Sequence, residues 1–352
     1  MTSVDTATAV AEHEPPETVS SEDTATRELL VRQVRWEADG VVSLELVDPV
    51  GRALAPWEPG AHLDLALPSG LVRQYSLCGD PANRHAYTVA VLKEAASRGG
   101  SKEIHETPLV GRRLSVRGPR NQFRLVDADR YVFLAGGIGV TPIVPMVAEA
   151  AARGRPYRLV YGGRTRTSMA FLDRLAAPGG GEVEVLPEDE AGWPDLDAIL
   201  SAAPPGTAVY CCGPAGMIAA VEEACGRLVE PGALHVERFT APVAPTDGMA
   251  ETGAGAGDGA GAGAGETFEV ELARSGVVLT VPPDRTLLRA VLDAVPSHLY
   301  SCEEGYCGTC EARVLDGDPD HRDTVLSDEE KAEGKMILCV GRSRSPRLVL
   351  DL

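Results

Sequence analysis

Four cysteines carry the clearest chemical signal in the chain. Cys302, Cys307 and Cys310 read C-x4-C-x2-C, and Cys339 stands apart downstream. This is the spacing of plant-type [2Fe–2S] ligation. Such a loop must wrap tightly around a cluster and turn backbone amides toward its sulfides. Gly305 and Gly308 lie inside it and can take left-handed conformations that other residues resist. Ser301 and Thr309 add small side chains. Structural zinc is the competing reading. Zinc ribbons use two close cysteine pairs, whereas here three cysteines crowd one loop. Cys78, Cys211 and Cys225 are read as small buried hydrophobes.

A second signal is glycine-rich. Gly136-Gly137-Ile138-Gly139-Val140-Thr141-Pro142 follows an apolar strand run and opens a helical pattern. Glycines there let backbone approach a pyrophosphate, and a helix start offers free amides and a positive dipole end. Thr141 is expected to cap, with Pro142 in the first helical position. The full G-x-G-x-x-G fingerprint is not met, because Pro142 stands where a third glycine would be. A later run, Cys211-Cys212-Gly213-Pro214 with Met217 beyond it, ends another strand. In open α/β sheets ligands bind at the carboxyl ends of strands, so the two loops should wall one crevice. A third element, Arg73-Gln74-Tyr75-Ser76-Leu77, could hold a phosphate and stack on a planar ring, though alone it reads as an ordinary strand.

These motifs need elements to hold them. Residues 27–125 show short alternating strand runs and suggest a small antiparallel barrel. Residues 126–240 alternate apolar runs with helical patterns, which implies a parallel sheet. Residues 241–266 are rich in Gly and Ala and are expected to be a flexible linker reaching roughly 25–30 Å. Residues 267–352 form a third unit, with strands at Phe268–Ala273 and Val277–Val281, a helix after Asp284, then the cysteine loop. Residues 1–26 read as a disordered tail.

Composition sets limits. The 352 residues carry a formal charge of −19, which argues against nucleic acid. The acidic start has no basic region followed by an apolar run, so no secretory signal is expected. Tyr131–Ala148 is uncharged, but its glycines and prolines make it a strand–turn–helix rather than a membrane span. A cytoplasmic protein that binds no membrane is expected. His62, His85 and His105 are scattered and form no acid–base constellation.

Taken together, the chain resembles the phthalate dioxygenase and vanillate demethylase reductases, from Arg27 to Leu352. The matching stretches are Arg73 to Cys78, Arg98 to Ser101, Gly118 to Phe123, Gly136 to Pro142, Tyr210 to Pro214, His235 to Phe239, the cysteine loop, Asp320 to Asp323, and Leu348 to Leu352. The resemblance implies three domains: a β-barrel flavin domain, a ferredoxin–NADP reductase-like nucleotide domain, and a C-terminal β-grasp plant-type ferredoxin. It implies FMN rather than FAD, with Arg73, Gln74, Gly100 and Ser101 near its phosphate. Tyr75, Ser76 and Phe239 would lie against the flavin ring, with Ser76 near N5. Cys212 and Glu237 match positions near the nicotinamide, so Ser76, Cys212 and Glu237 are the expected catalytic residues.

Gly136, Gly137, Gly139, Thr141, Pro142, Arg164, Gly213, Pro214 and Met217 would hold the dinucleotide. Gln74 departs from a common small hydroxyl residue. Arg164-Thr165-Arg166 stands where an acid would favour NADH, so NADPH is a second candidate beside NADH. The implied activity passes hydride from NAD(P)H to flavin and single electrons through the cluster to a terminal oxygenase, Rieske-type or P450. The flexible linker is expected to let the cluster alternate between flavin and partner. The alternatives are an FAD-dependent monooxygenase reductase, for which no adenine-binding loop is visible, and a non-enzymatic redox sensor.

Overall fold

The structure is a computed structural model. It describes residues 26–94, 99–176, 179–239, 266–296, 298, 300, 303, 305–306, 308–323 and 325–352. Residues 1–25 of the expected tail, 241–265 of the expected linker, Arg98, Ser301 and the expected ligands Cys302 and Cys307 lie outside the described residues.

Alternating apolar positions fold first into a six-stranded antiparallel sheet. Its strands are β1 (Thr26–Ala38), β2 (Val41–Val47), β3 (Ala61–Ala66), β4 (Val72–Ser76), β5 (Tyr87–Leu92) and β6 (Arg113–Asn121). They run in the order β4-β3-β6-β1-β2-β5. A bridge between Leu77 and Val89 joins the two edges, so the sheet curls toward a barrel. Leu29, Val31, Leu44, Leu63 and Leu65 fill its inside, and α1 (Gly100–Glu106) adds Ile104.

One irregularity in this sheet re-aims two arginines. The β3–β6 register shifts between His62 and Asp64, so Arg120 pairs with His62 and Arg117 with Asp64. Residues three apart on a regular strand face opposite ways. The bulge brings both arginines to one face.

The second sheet is parallel: β7 (Arg130–Gly136), β8 (Tyr157–Gly163), β9 (Gly181–Pro187), β10 (Thr207–Cys212) and β11 (Leu234–Glu237). Their order is β11-β10-β7-β8-β9. The chain winds outward from β7 to β9, returns, and winds the other way. The reversal falls between β7 and β10, and that switch point is where such sheets bind ligands. Between these strands run α2 (Val140–Ala152), α3 (Leu172–Ala176), α4 (Glu188–Ala191), α5 (Leu196–Ser201) and α6 (Ala215–Leu228).

Barrel and parallel sheet share one apolar cluster, which joins Ala38, Val41, Cys78 and Phe123 to Tyr131, Phe133 and Tyr210. Burying each large side chain of this kind contributes about 1.5–3 kcal/mol. The connecting segment is tied down by tyrosines. Tyr210 Oη accepts from Val126 N at 2.7 Å and donates to Arg124 O at 2.8 Å. Tyr131 Oη donates to Val126 O at 2.8 Å.

The third unit contains β12 (Phe268–Leu272), β13 (Val277–Val281), β14 (Glu311–Asp316), β15 (Pro319–Asp320), β16 (Lys335–Ile337), β17 (Arg342–Ser343) and β18 (Arg347–Leu350). Five of these form a mixed sheet in the order β13-β12-β18-β14-β16, and β15 pairs with β17. Helix α7 (Leu287–Ala294) covers it and is capped by Thr286, whose hydroxyl accepts from Arg289 N at 3.2 Å. Helix α8 (Asp328–Ala332) starts with a Ser327/Glu330 capping box. Buried Arg342 donates to the carbonyls of Glu266, Pro282 and Arg285 and lies over the Phe268 ring. Among the described residues no helix is long and apolar enough to cross a membrane.

Candidate active site

The carboxyl ends of β7 and β10 meet at the switch point, and their glycines explain how. A Cβ at Gly136 would lie 2.6 Å from both Met217 Sδ and Pro214 Cδ, and one at Gly139 would strike the Cys212 carbonyl. Gly213 leaves room for Gly136 Cα. The two loops therefore touch through backbone, as a close crevice wall requires.

A 3-10 turn, Gly137–Gly139, leads into α2, whose start has no side-chain cap. Its amides suit an anionic ligand. Here the sequence expectation is corrected. The helix begins at Val140, so Thr141 is its second residue and Pro142 its third. Thr141 Oγ1 does not cap; it donates to Ile138 O at 2.9 Å. Proline is still tolerated there, because first-turn amides have no partner within the helix.

Arg164 follows β8 directly, and its carbonyl accepts from Asp189 N at 3.3 Å. Arg166 pairs with Glu190 at 3.0 Å on the surface. The sequence shows no acid directly after β8. The acid arrives instead from α4, after the neighbouring strand.

Three sequence-predicted residues come together where barrel and sheet meet. Ser76 ends β4, Cys212 ends β10 and Glu237 ends β11. Cys212 lies between Ala135 and Glu237 in the parallel register. Ser76 Oγ donates to Glu237 Oε2 at 3.1 Å. Burial pushes the Glu237 carboxyl up to about 8, with the Ser76 hydrogen bond acting against it. Glu237 is then protonated at neutral pH. Burial, with Glu237 beside it, also holds the Cys212 thiol well above its ordinary value, so it stays a neutral thiol. His235 stacks on Tyr210 with ring centroids 4.7 Å apart and steadies β11.

The flavin-side residues divide between two faces of β4. A Cβ at Gly100 would lie 2.7 Å from Arg73 Cγ, so Arg73 lies across the Gly99–Ser101 turn. Ser101 Oγ accepts from Glu94 N at 3.2 Å. Tyr75 packs against the barrel core. Phe239 is exposed, and its carbonyl accepts from Tyr306 Oη at 2.8 Å. Gln74 departs from the phosphate position expected of it. Alternation turns it away from Arg73, and its Nε2 donates to Thr309 Oγ1 of the cysteine loop at 2.7 Å.

Two expected cluster ligands are described. Cys310 precedes β14 and Cys339 follows β16. These strands pair antiparallel, and Leu338 N donates to Cys310 O at 3.1 Å, so both cysteines sit at one end of the sheet. Both are buried. Gly305 and Gly308 have φ of 78° and 70°, as the expected tight loop requires. A Cβ at Gly305 would lie 2.7 Å from Val340 Cγ2, so the loop lies against the residue after Cys339. Soft thiol donors on left-handed glycine turns suit an iron–sulfur cluster.

The sequence also missed a buried polar group. Asp64 takes Arg120 through both oxygens at 2.8 Å and Arg117 at 3.1 Å. His62 lies beside them, and burial together with Arg120 lowers its pKa to about 4. It is therefore neutral.

Comparison with known proteins agrees with this arrangement. Residues 270–343 match the 2Fe-2S iron-sulfur cluster binding domain, and residues 116–228 match the N-terminal domain of dimethylamine monooxygenase subunit DmmA-like proteins. The chain is 43% identical to phenoxybenzoate dioxygenase subunit beta of Ectopseudomonas oleovorans, over 92% of this chain and 97% of that one. It is 41% identical to vanillate O-demethylase oxidoreductase of a Pseudomonas species, over 92% and 99%. It is 36% identical to phthalate dioxygenase reductase of Burkholderia cepacia, over 93% and 96%.

Among solved structures, an intact type IV self-sufficient cytochrome P450 monooxygenase superposes with a TM-score of 0.81 at 41% identity. The match covers 97% of this chain but only 43% of that one. Phthalate dioxygenase reductase, a modular structure for electron transfer from pyridine nucleotides to [2Fe-2S], superposes with a TM-score of 0.65 at 33% identity, over 93% of this chain and 98% of its own. With relatives this similar along nearly its whole length, the chain belongs to the phthalate dioxygenase reductase and vanillate O-demethylase oxidoreductase family.

Proposed function

We propose that this protein is the reductase component of an oxygenase system, using NADH, FMN and a [2Fe–2S] cluster held by Cys302, Cys307, Cys310 and Cys339. The observation that carries this reading is convergence. The barrel's Ser76 reaches the parallel sheet's Glu237 at 3.1 Å, and two residues before Ser76 the same strand reaches the cysteine loop. When bound, the flavin couples two-electron donation by the nicotinamide to one-electron acceptance by the cluster. The rest is positioning by the chain.

Arg73 and the Gly99–Ser101 turn hold the flavin phosphate, and Tyr75 and Phe239 bracket the ring. Ser76 directs its hydroxyl at the ring edge, while Cys212 and the protonated Glu237 pack the nicotinamide without placing a negative charge beside it. Gly136, Gly137, Gly139, Gly213, Pro214 and Met217 shape the dinucleotide crevice, with Thr141 and Pro142 inside the first turn of the helix that faces it. Arg164 borders the adenosine end. Glu188, Asp189 and Glu190 crowd that end with acid, and Glu190 occupies Arg166. A nucleotide bearing a 2′-phosphate meets repulsion there, so NADH is the donor.

The partner is a terminal oxygenase, and the protein works in the cytoplasm. A cytochrome P450 is a second reading of the partner, favoured by the superposition on a self-sufficient P450. Acid extraction of the holoprotein tests the flavin assignment. FMN in the extract supports it, and FAD would move the chain to a different reductase class. NADH-driven reduction of a purified Rieske oxygenase and a purified P450, side by side, tests the partner.

A further inference from the structure

Through its described residues the cysteine loop meets the rest of the molecule on two flanks. Thr309 Oγ1 accepts from Gln74 Nε2 at 2.7 Å and from Arg120 Nη2 at 3.4 Å. A side chain at Gly308 would run into the Gln122 amide, so the loop backbone lies against the barrel there. On its other flank Tyr306 Oη donates to Phe239 O.

The barrel side of this contact is held in place from below. Arg120 is fixed by both oxygens of the buried Asp64. Asp64 in turn sits opposite Gln74 on β4. The Gln74 amide also lies 3.4 Å from His62 Nε2. A neutral imidazole can accept there, which turns the amide nitrogen rather than its oxygen toward Thr309. The register shift in β6 is what puts Arg120 on this face at all.

We propose that Gln74 and Arg120, braced by Asp64 and His62, form a latch for the cysteine loop through Thr309. The latch fixes how far the cluster stands from the flavin site. All of these are positioning residues. The proposal rests on the electron-transfer reading above for its purpose, but not for its geometry. Of the two hydrogen bonds in this latch, the one from Gln74 has ordinary length and the one from Arg120 is long.

Thr309→Val keeps the shape of the side chain and removes the acceptor. Leaving a part-buried donor without its acceptor shifts such an equilibrium by about tenfold. In the wild-type holoenzyme mixed rapidly with NADH, flavin bleaching should precede cluster bleaching. In Thr309→Val the first phase should stay within about twofold, the second should slow by about tenfold, and X-ray scattering should report a larger radius of gyration. In a Gln74→Ala background, adding Thr309→Val should change the radius little further.

Unchanged scattering and an unchanged second phase in Thr309→Val would overturn the latch. So would an equal effect of Thr309→Val with and without Gln74. If Thr309→Val loses its cluster absorbance, Gln74→Ala decides by scattering alone: expansion supports the latch and a wild-type profile overturns it. A wild-type protein that shows neither bleaching phase contradicts the electron-transfer reading instead, and scattering still judges the latch.

Discussion

Glu237 shows how one residue's environment becomes a measurable pH dependence. Desolvation of its part-buried carboxyl pushes the pKa up to about 8 in the folded chain, against an ordinary value of 4.5. Between those values the folded state binds more protons than the unfolded state, so stability falls as pH rises through that window. Glu237→Gln removes the titration. Denaturant midpoints measured from about pH 5 to about pH 8 should fall for the native protein relative to this variant. Parallel curves would contradict the raised carboxyl. His62 runs the other way. With its pKa lowered to about 4 from 6.5, its contribution is complete above 6.5 and is lost as pH falls through 4. Cys212 belongs to the same group. Cys212→Ala should slow NADH-driven flavin bleaching by about 10- to 100-fold through misplacement of the nicotinamide, while the cluster spectrum stays intact. An unchanged rate would remove Cys212 from the site. The sequence announced these residues only through resemblance. Spacing alone does not bring Ser76 to Glu237, because two different sheets must first be set against each other.

Among the elements, the glycine loops make the sharpest contrast. A Cβ at Gly139 meets the Cys212 carbonyl, whereas one at Gly137 meets nothing within 4 Å. Gly139→Ala should therefore force the β7 and β10 loops apart, destabilise the protein by about 1–3 kcal/mol and raise the KM for NADH. Gly137→Ala carries only the cost of a φ of 52°, about 1–2 kcal/mol. Thermal unfolding and KM measured on both variants check this: only Gly139→Ala should alter KM strongly. The acid on α4 gives a second test. Glu190→Gln frees Arg166 and should raise the NADPH to NADH ratio of kcat/KM several-fold. An unchanged ratio would take α4 out of nucleotide selection. Strand periodicity, the β-α-β alternation and the cysteine spacing were legible from the sequence, since each is a local pattern. The Asp64 group was not. Arg117 and Arg120 read as residues on opposite faces until the register shift in β6 brings them together. Gln74 was misplaced for a related reason, because its partner Thr309 lies beyond the whole nucleotide unit in the chain.

At the scale of the molecule, the barrel and the two five-stranded sheets meet where Ser76 reaches Glu237 and Gln74 reaches Thr309. The tyrosine-anchored segment ties the barrel to the parallel sheet beside the proposed hydride-transfer site, and the β14–β16 end of the third sheet brings Cys310 and Cys339 to the same side. The apolar cluster shared by barrel and parallel sheet is extensive, while the described residues of the cysteine loop meet the barrel through polar side chains. The first pair should thus behave as one rigid body, with the cluster-bearing unit free to separate from it. The central claim is that NADH reduces a flavin that then reduces the cluster within this one chain. Stepwise anaerobic addition of NADH to the purified holoprotein, followed by its visible spectrum, tests it most directly. Flavin bands and a broad reddish iron–sulfur absorption should both be present and both bleach as NADH is added. A flavin that bleaches with no cluster absorption present, or a cluster that stays oxidised beside a reduced flavin, would contradict that claim.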